Sequence, residues 1–346
     1  MELNFSEYLA LFFTALIFVG VLTPLVRKIA LRIEILDAPT ESHKTHKEAI
    51  PYLGGMAIII GTCLTTYLAI LVSGQASALS LASAVLIPAV LMGVIGLVDD
   101  IKKLSPWPRF IAQNLFGLVI AVILIATRTL GSPTGNTIID VAITTLWIVG
   151  ITNSINFFDN VDGGASGTVA ISSLFLFLLS LQGGQYSIAA LSLVLTGATT
   201  GFLLWNKPPA RIYMGDAGAL FLGILIATLT LRFDPNPINL SASFALPILL
   251  LAVPILDTSV AVISRLRRRI SPFQGGQDHL SHRLMRAGLS KRQAVLSLWI
   301  ISAFYGFIAL AISNAPYNLE NFIVAVAAVV WVISFFLFLK TASGPS

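Results

Sequence analysis

The feature that most constrains this chain is the recurrence of apolar segments long enough to cross a lipid bilayer. About 17 to 25 apolar residues span the hydrocarbon core as a helix. We count eleven such segments, at about residues 8–31, 52–72, 82–98, 108–127, 137–152, 165–181, 186–205, 217–232, 244–264, 294–313 and 319–339. Charged residues make up only 11% of the 346 residues, whereas soluble domains carry about 25%. The sequence therefore predicts an all-α polytopic membrane protein with a single transmembrane domain over residues 1–346.

The distribution of Lys and Arg predicts the orientation in the membrane, because cytosolic loops carry an excess of both. An odd number of spans places the termini on opposite faces. With the N-terminus outside, only Arg128 and Arg232 of the 21 Lys and Arg residues lie on the outer side. We therefore expect an outer N-terminus, a cytosolic C-terminus and a long cytosolic loop over residues 265–292. The net charge of +5 follows from this orientation and does not indicate nucleic-acid binding.

Two further features narrow the class of protein. The single cysteine, Cys63, lies in an apolar run, which excludes disulfides and cysteine-based metal sites. The first apolar run is too long for the core of a signal peptide and lacks a small-residue cleavage site. We expect it to remain as the first membrane span.

Polar residues that are costly near lipid gather at the predicted cytosolic ends of the spans. One stretch, beginning at Asn153, reads Asn-Ser-Ile-Asn-Phe-Phe-Asp-Asn-Val-Asp-Gly-Gly. On a helix, one face would carry Asn153, Asn156 and Asn160, and another would carry Asp159 and Asp162. Such oxygen-rich groups suit a hard divalent cation with a phosphate substrate. The alternative is a polar connector between two helices.

Carboxylates also stand at the ends of two other predicted spans. Asp99 and Asp100 are adjacent, so on a helix they face different partners; one would approach a cation or a phosphate, and the other would pair with Lys102 or Lys103. Asp216 lies in Met-Gly-Asp-Ala-Gly at the start of the eighth span, where neighbouring glycines would let the backbone approach a ligand closely. Helix capping is the alternative for Asp216, and a solvated helix end is the alternative for the pair.

Basic residues occupy two of the inner loops. In the first, Lys44, His43 and His46 are candidates for binding phosphate, and Gly54-Gly55 would offer free backbone N–H groups; solvated loop histidines are the alternative. In the long loop, a cationic run beginning at Arg265 is expected to meet anionic lipid headgroups.

A histidine pair follows that cationic run in the same long loop. His279, His282 and Arg283 would lie together on a helix. Their spacing is compatible with zinc or with a diphosphate, and the diphosphate is preferred because a third protein ligand for zinc is not evident.

Five motifs recur together and in order over about residues 23–310. They are Pro-Thr…Lys-x-His with Pro-x-x-Gly-Gly, Gly-x-x-Asp-Asp-x-Lys, Asn-x-x-Asn-x-x-Asp-Asn-x-Asp-Gly, Met-Gly-Asp-x-Gly and Asp-His-x-x-His-Arg. Jointly they resemble the polyprenyl-phosphate N-acetylhexosamine-1-phosphate transferases. That superfamily includes initiators of O-antigen and teichoic acid synthesis and the phospho-MurNAc-pentapeptide translocase of peptidoglycan synthesis. Ser281 stands where the translocase carries a third histidine, which favours the N-acetylglucosamine branch and keeps the translocase as the alternative.

The resemblance implies transfer of a sugar 1-phosphate from a UDP-N-acetylhexosamine to undecaprenyl phosphate, with release of UMP, by a homodimer in the plasma membrane. It implies a Mg²⁺ site on the cytosolic face, with Mn²⁺ as an alternative ion. The residues carried over are Asn156 and Asp216 for the metal; Asp99, Asp100, Asp159 and Asp162 for catalysis; and His279, His282 and Arg283 for binding the sugar nucleotide. The loop and cluster patterns add further candidates for substrate binding, namely Lys44, His46, Lys102, Asn153 and Asn160. An ion-coupled transporter, which also uses aspartates in the membrane, is the alternative from another class.

Overall fold

The chain folds into helices that run back and forth across one bundle. The structure, a computed structural model, describes residues 3–37, 49–126, 134–235, 239–272 and 276–341. The helices are α1 Phe5–Arg32, α2 Gly54–Ser73, α3 Ala76–Lys102, α4 Pro106–Ala126, α5 Thr137–Phe158, α6 Gly164–Gln182, α7 Tyr186–Asn206, α8 Gly215–Arg232, α9 Leu240–Leu250, α10 Ala252–Arg267, α11 Leu280–Arg286, α12 Lys291–Ser313 and α13 Tyr317–Lys340. The predicted all-α polytopic architecture is confirmed.

The number of spans agrees with the prediction, with one difference in form. Within the described ranges, ten single helices are long and apolar enough to cross a membrane, and α9 with α10 makes an eleventh that bends by 76°. The sequence predicts a continuous ninth span over 244–264. Pro254 accounts for the break, because proline has no N–H for the carbonyl of Leu250 and its ring clashes with that carbonyl. The helix therefore stops at Leu250 and restarts at Ala252.

The fifth span is longer than predicted. Its helix continues past residue 152 to Phe158, so Asn153 and Asn156 lie on its last two turns. The expectation of one helix carrying Asp159, Asn160 and Asp162 as well is wrong. Asp159 caps the helix end, and the chain then turns through Gly163, whose φ of +72° is left-handed.

Close packing at glycines brings α2 and α3 against α8, the most buried of the membrane helices. A Cβ on Gly55 of α2 would lie 2.1 Å from the nitrogen of Gly218, and a Cβ on Gly96 of α3 would lie 2.4 Å from the carbonyl oxygen of Asp216. Any larger side chain would push α2 or α3 away from α8. These contacts set the start of α8 against the end of α3.

A short antiparallel ladder closes the base of the first loop. Strand β1, Leu36–Asp37, pairs with β2, Ile50–Pro51. The carbonyl of Pro51 accepts the N–H of Tyr213 at 3.0 Å, which joins this ladder to the segment that leads into α8. The predicted phosphate-binding residues His43, Lys44 and His46 lie outside the described residues.

Candidate active site

Side chains from three spans meet at the start of α8. Asp216, in the first turn of α8, accepts a hydrogen bond on Oδ1 from Nδ2 of Asn156 on α5 at 2.7 Å. Asp99, near the end of α3, lies close by, because both Asp99 and Asp216 contact the same guanidinium. The structure therefore brings together Asn156, Asp216 and Asp99, which lie far apart in the sequence.

Arg109 of α4 supplies that guanidinium. Its NH1 group lies 2.5 Å from Oδ2 of Asp99 and also donates to Oδ2 of Asp216. The sequence analysis uses Arg109 only as one of the cytosolic cations, and its role in the site was missed. A cation at the fourth residue of a membrane helix, soon after an acidic pair, is the signal that would have pointed to it.

Asp100 faces a different partner from Asp99, as adjacency on a helix predicts. Its two oxygens accept the backbone N–H groups of Asp216, at 2.9 Å, and of Ala217, at 3.0 Å. These are orphan donors at a helix start, and Met214, at the N-cap position of α8, offers no side-chain cap. Asp100 therefore caps α8 from a neighbouring helix and fixes the backbone that carries Asp216.

The glycines near this cluster do not have the ligand-binding role predicted for them. Gly54 and Gly55 donate their N–H groups to the carbonyls of Tyr213 and Met214, both at 2.9 Å. They are therefore not free to bind phosphate, and the expectation that they are is wrong. The glycines beside Asp216 contact Asp100 and α2 instead of leaving room for a ligand.

The predicted pairing of the acidic pair with lysine is likewise replaced by Arg109. Lys102 is exposed at the end of α3. Its assignment to substrate binding stays a prediction.

The loop between α5 and α6 lies beside the cluster. Burial, followed by the charges of Asp216, Asp100 and Asp162, raises the pKa of Asp159 to about 8. Asn160 donates from Nδ2 to the carbonyl of Phe157 at 2.8 Å. Four carboxylates thus lie near one another, and burial together with the charges of the other three disfavours the ionised form of Asp159.

Asp162 connects this loop to two others. Oδ1 lies 3.2 Å from Nζ of Lys291, at the start of α12, and Oδ2 accepts the N–H of Ala210 at 3.0 Å. Asp162 is buried, so both oxygens serve contacts within the protein. The structure places it as a connector at the edge of the site.

Asn153 lies one helical turn before Asn156 on α5. Its Nδ2 donates to Oε1 of Gln113 on α4 at 2.5 Å and to the carbonyl of Val149 at 2.8 Å. Gln113 is itself buried. Asn153 therefore joins α5 to α4, the helix that carries Arg109.

The histidine loop contributes a second, more buried group. Nδ1 of His279 lies 2.7 Å from Oδ2 of Asp257, and its Nε2 lies 3.2 Å from NH2 of Arg265. His282 lies on α11 with its ring centroid 6.1 Å from that of His279. Both rings are buried. The sequence analysis did not find this contact between Asp257 and His279.

Arg283 makes structural contacts in the described residues. Its Nε donates to the carbonyl of Asp278 at 2.8 Å, and its NH1 donates to the carbonyls of Phe338, at 2.9 Å, and Thr341. The side chain is 1% exposed. Arg283 fastens α11 to the end of α13. Its assignment to substrate binding stays a prediction.

The run that starts at Arg265 was expected to meet lipid headgroups, and this is wrong for two of its members. Nε of Arg265 lies 3.2 Å from Asp278, and Arg268 pairs with the same carboxylate. Burial raises the pKa of Asp278, but the hydrogen bonds from both arginines outweigh it and hold that pKa below its usual value. Only Arg267 and Arg269 are exposed, so the lipid contact stays a prediction for them.

The pH dependence of stability tests the environment of His282. Burial, the largest cause, lowers the pKa of His282 to about 4. The unfolded chain therefore binds more protons as the pH falls from about 6.5 to 4, and stability is lost over that window, by up to about 3 kcal/mol. We expect His282→Gln to flatten the fall in unfolding temperature measured between pH 7.5 and 5. Equal pH dependence in both proteins would contradict the buried neutral ring.

Comparison with known proteins identifies the family. The chain is 34% identical over 322 residues to a protein of Bacillus subtilis (strain 168) named probable undecaprenyl-phosphate N-acetylglucosaminyl 1-phosphate transferase, covering 90% of this chain and 87% of the relative. The model of glycosyl transferase family 4 matches residues 82–234. The chain belongs to glycosyl transferase family 4.

Other family 4 relatives differ in the sugar that their names give. A decaprenyl-phosphate N-acetylglucosaminephosphotransferase of Mycobacterium tuberculosis (strain CDC 1551 / Oshkosh) is 31% identical, covering 83% of this chain and 78% of the relative. A phospho-N-acetylmuramoyl-pentapeptide-transferase of Staphylococcus carnosus (strain TM300) is 26% identical, covering 86% and 96%. The predicted resemblance to the N-acetylglucosamine branch of the superfamily is confirmed.

The family 4 resemblance implies Mg²⁺, and the residues at the start of α8 fit it. Among the described residues, no three His, Cys, Asp or Glu side chains form a complete metal cluster. Mg²⁺ does not require one, because it commonly binds through one or two carboxylates and shares its other positions with water and substrate phosphates. Asp216 and Asn156 offer such hard oxygen ligands. Arg109, held between Asp99 and Asp216, already shows that this pocket attracts positive charge.

Proposed function

We propose that this protein transfers N-acetylglucosamine 1-phosphate from UDP-N-acetylglucosamine to a polyprenyl phosphate, taken here as undecaprenyl phosphate, and releases UMP. The observation that carries the proposal is the meeting of Asp99, Asn156 and Asp216 around Arg109 at one end of the spans. The names of the family 4 relatives support the sugar and the lipid.

The reaction exchanges one phosphorus–oxygen bond for another. An oxygen of the lipid phosphate attacks the β-phosphorus of the UDP-sugar. The bond from that phosphorus to the bridging oxygen breaks, and its electron pair leaves with UMP. A phosphate monoester has a second pKa near 6, so the nucleophile is mostly ionised at pH 7. Asp99 therefore has more to contribute by holding Arg109, which can orient the attacking phosphate, than by removing a proton.

Positioning and charge neutralisation supply most of the catalysis in phosphoryl transfer. Asp216 and Asn156 would hold Mg²⁺, which when bound neutralises the diphosphate and the leaving group. Arg109 can accompany it, because a guanidinium pairs with phosphate as readily as with carboxylate. Asp100 keeps the backbone of Asp216 in place through its two hydrogen bonds.

The donor would lie on the side of the α5–α6 loop. Asp159 and Asn160 line that side, and α11 packs against it through the hydrogen bond from Ser281 Oγ to Asn160 Oδ1, at 2.6 Å. His282 lies next to Ser281 on α11. The apolar surfaces between spans would hold the prenyl chain. We place this end of the bundle in the cytosol, because it carries most of the Lys and Arg residues, and we expect a homodimer in the plasma membrane.

The identity of the donor sugar distinguishes the proposed reaction from that of the pentapeptide translocase. Ser281 is buried and bonded to Asn160, so a histidine at this position would have to displace that contact. We expect purified protein with undecaprenyl phosphate and Mg²⁺ to release UMP from UDP-N-acetylglucosamine, with less from UDP-N-acetylgalactosamine. Release from UDP-MurNAc-pentapeptide alone would instead assign the translocase reaction.

A transporter would place its binding groups near the middle of the membrane, between broken helices. In the described residues, Asp99, Asn156 and Asp216 lie at helix ends on one side of the bundle. The bent pair α9 and α10 carries its charged residues on α10, from Asp257 to the arginines that end it. This distribution favours chemistry at one membrane face.

A further inference from the structure

The buried carboxylate of Asp257 holds the start of α11. Asp257 lies on α10 and is 0% exposed. Its Oδ1 accepts the N–H of Leu280 at 2.7 Å, and its Oδ2 lies 2.7 Å from Nδ1 of His279. His279 is the N-cap residue of α11, and its side chain makes no cap of its own. Asp257 therefore provides from another helix the cap that α11 lacks.

Both ring nitrogens of His279 are engaged by the protein. Nδ1 faces a carboxylate, which only accepts hydrogen bonds, and Nε2 faces NH2 of Arg265, which only donates them. The single arrangement that satisfies both contacts is neutral imidazole with its proton on Nδ1. Arg265 is fixed in turn by Asp278 and by the carbonyl of Pro272.

We propose that Asp257 is a positioning residue of the donor site. It fixes the tautomer of His279 and the first turn of α11, and through that turn it sets Ser281 and His282 against the α5–α6 loop. His279 is then part of the support and does not bind substrate, unlike the role predicted from its motif. This inference deepens the proposed function and rests on it.

An amide in place of Asp257 tests the idea with little change in shape. With its oxygen toward His279, the amide of Asp257→Asn would set its NH₂ group against the N–H of Leu280. With the oxygen toward Leu280, the NH₂ group would force the proton of His279 onto Nε2, against the donor of Arg265. In either orientation two hydrogen-bond donors therefore face each other. A buried donor without an acceptor weakens the hydrogen bonds that hold the start of α11.

The matched control is Asp140→Asn. Asp140 is another buried aspartate that accepts a main-chain N–H, from Thr134, and it lies at the opposite end of α5 from the site. We expect Asp257→Asn to raise the dissociation constant and KM for UDP-N-acetylglucosamine roughly tenfold or more, with kcat much less affected. Asp140→Asn should change neither constant. An unchanged KM in Asp257→Asn, or a loss confined to kcat, would overturn the proposal.

A second variant keeps the proposal testable if Asp257→Asn does not fold. A spectroscopic measurement keeps it testable if the protein does not carry out the proposed reaction. His279→Asn keeps a donor toward Asp257 and should retain most of kcat; a collapse of kcat would mean that His279 contacts the reacting groups.

The chain has four histidines, so ¹⁵N-histidine NMR can resolve the ring of His279. The wild-type protein should show a proton on Nδ1, lost or moved in Asp257→Asn, whether or not UDP-N-acetylglucosamine is turned over. A wild-type proton on Nε2 would contradict the assignment.

Discussion

Asp216→Asn should leave a folded protein that releases UMP at least about a hundredfold more slowly, because removal of one electrostatic partner of a reacting charge costs about 10²–10³ in rate. The amide can still accept from Asn156, but it loses the charge shared with Arg109 and turns NH₂ toward that guanidinium. Asp216 is only partly buried, with a side chain 24% exposed, so the fold should tolerate the change. Steady-state UMP release, with thermal unfolding measured alongside, checks both expectations.

Glu320→Gln is the matched control for this loss. Glu320 is a buried carboxylate that accepts hydrogen bonds from the N–H and Nδ2 of Asn239. It lies at the start of α13, at the end of the bundle opposite Asp216. The activity of the Glu320→Gln protein should stay close to that of the wild type. Substantial turnover by Asp216→Asn would remove Asp216 from the set of metal ligands.

Asp100→Ala should reduce stability as well as activity. The substitution leaves the N–H groups of Asp216 and Ala217 without their acceptor, and each unsatisfied buried donor costs about 1–3 kcal/mol. The start of α8 would then loosen, and Asp216 would lose its position relative to Asn156. A lower unfolding temperature than in Asp216→Asn is the expected result of a differential melting experiment in the same detergent.

The comparison of these two variants separates a positioning role from a chemical one. The motif assigns Asp99 and Asp100 a shared catalytic role, whereas the structure gives Asp100 only backbone partners on α8. If Asp100→Ala melted like wild type but had no activity, Asp100 would belong with the reacting groups, and its capping contacts would be incidental.

The sequence could predict the helical architecture and the gathering of the site residues at one end of the bundle, because both follow from span counting. Each apolar run marks a helix, and the parity of the spans places Asp99, Asn156 and Asp216 at the same end of the bundle. The break near Pro254 also had a local signal, since a proline removes the hydrogen bond to the carbonyl four residues before it and crowds that carbonyl.

The partners of each side chain could not be predicted in the same way, because they depend on which helices touch. Nothing near Arg109 in the sequence points to Asp216, 107 residues away. The contact between Asp257 and His279 likewise requires that α10 pack beside the histidine loop. Glycines illustrate the same limit: Gly55 and Gly218 suggest a ligand site when read alone, but they serve the close packing of α2 on α8.

The most direct test of the central claim follows the β-phosphorus of the donor. Purified protein would be incubated with UDP-N-acetylglucosamine labelled with ³²P at the β-phosphate, undecaprenyl phosphate and Mg²⁺, and then extracted with organic solvent. Sugar-phosphate transfer predicts the label in the lipid phase and unlabelled UMP in the aqueous phase. Release of labelled UDP, with an unlabelled glycolipid, would show that only the sugar moves and would contradict the reaction assigned to this site.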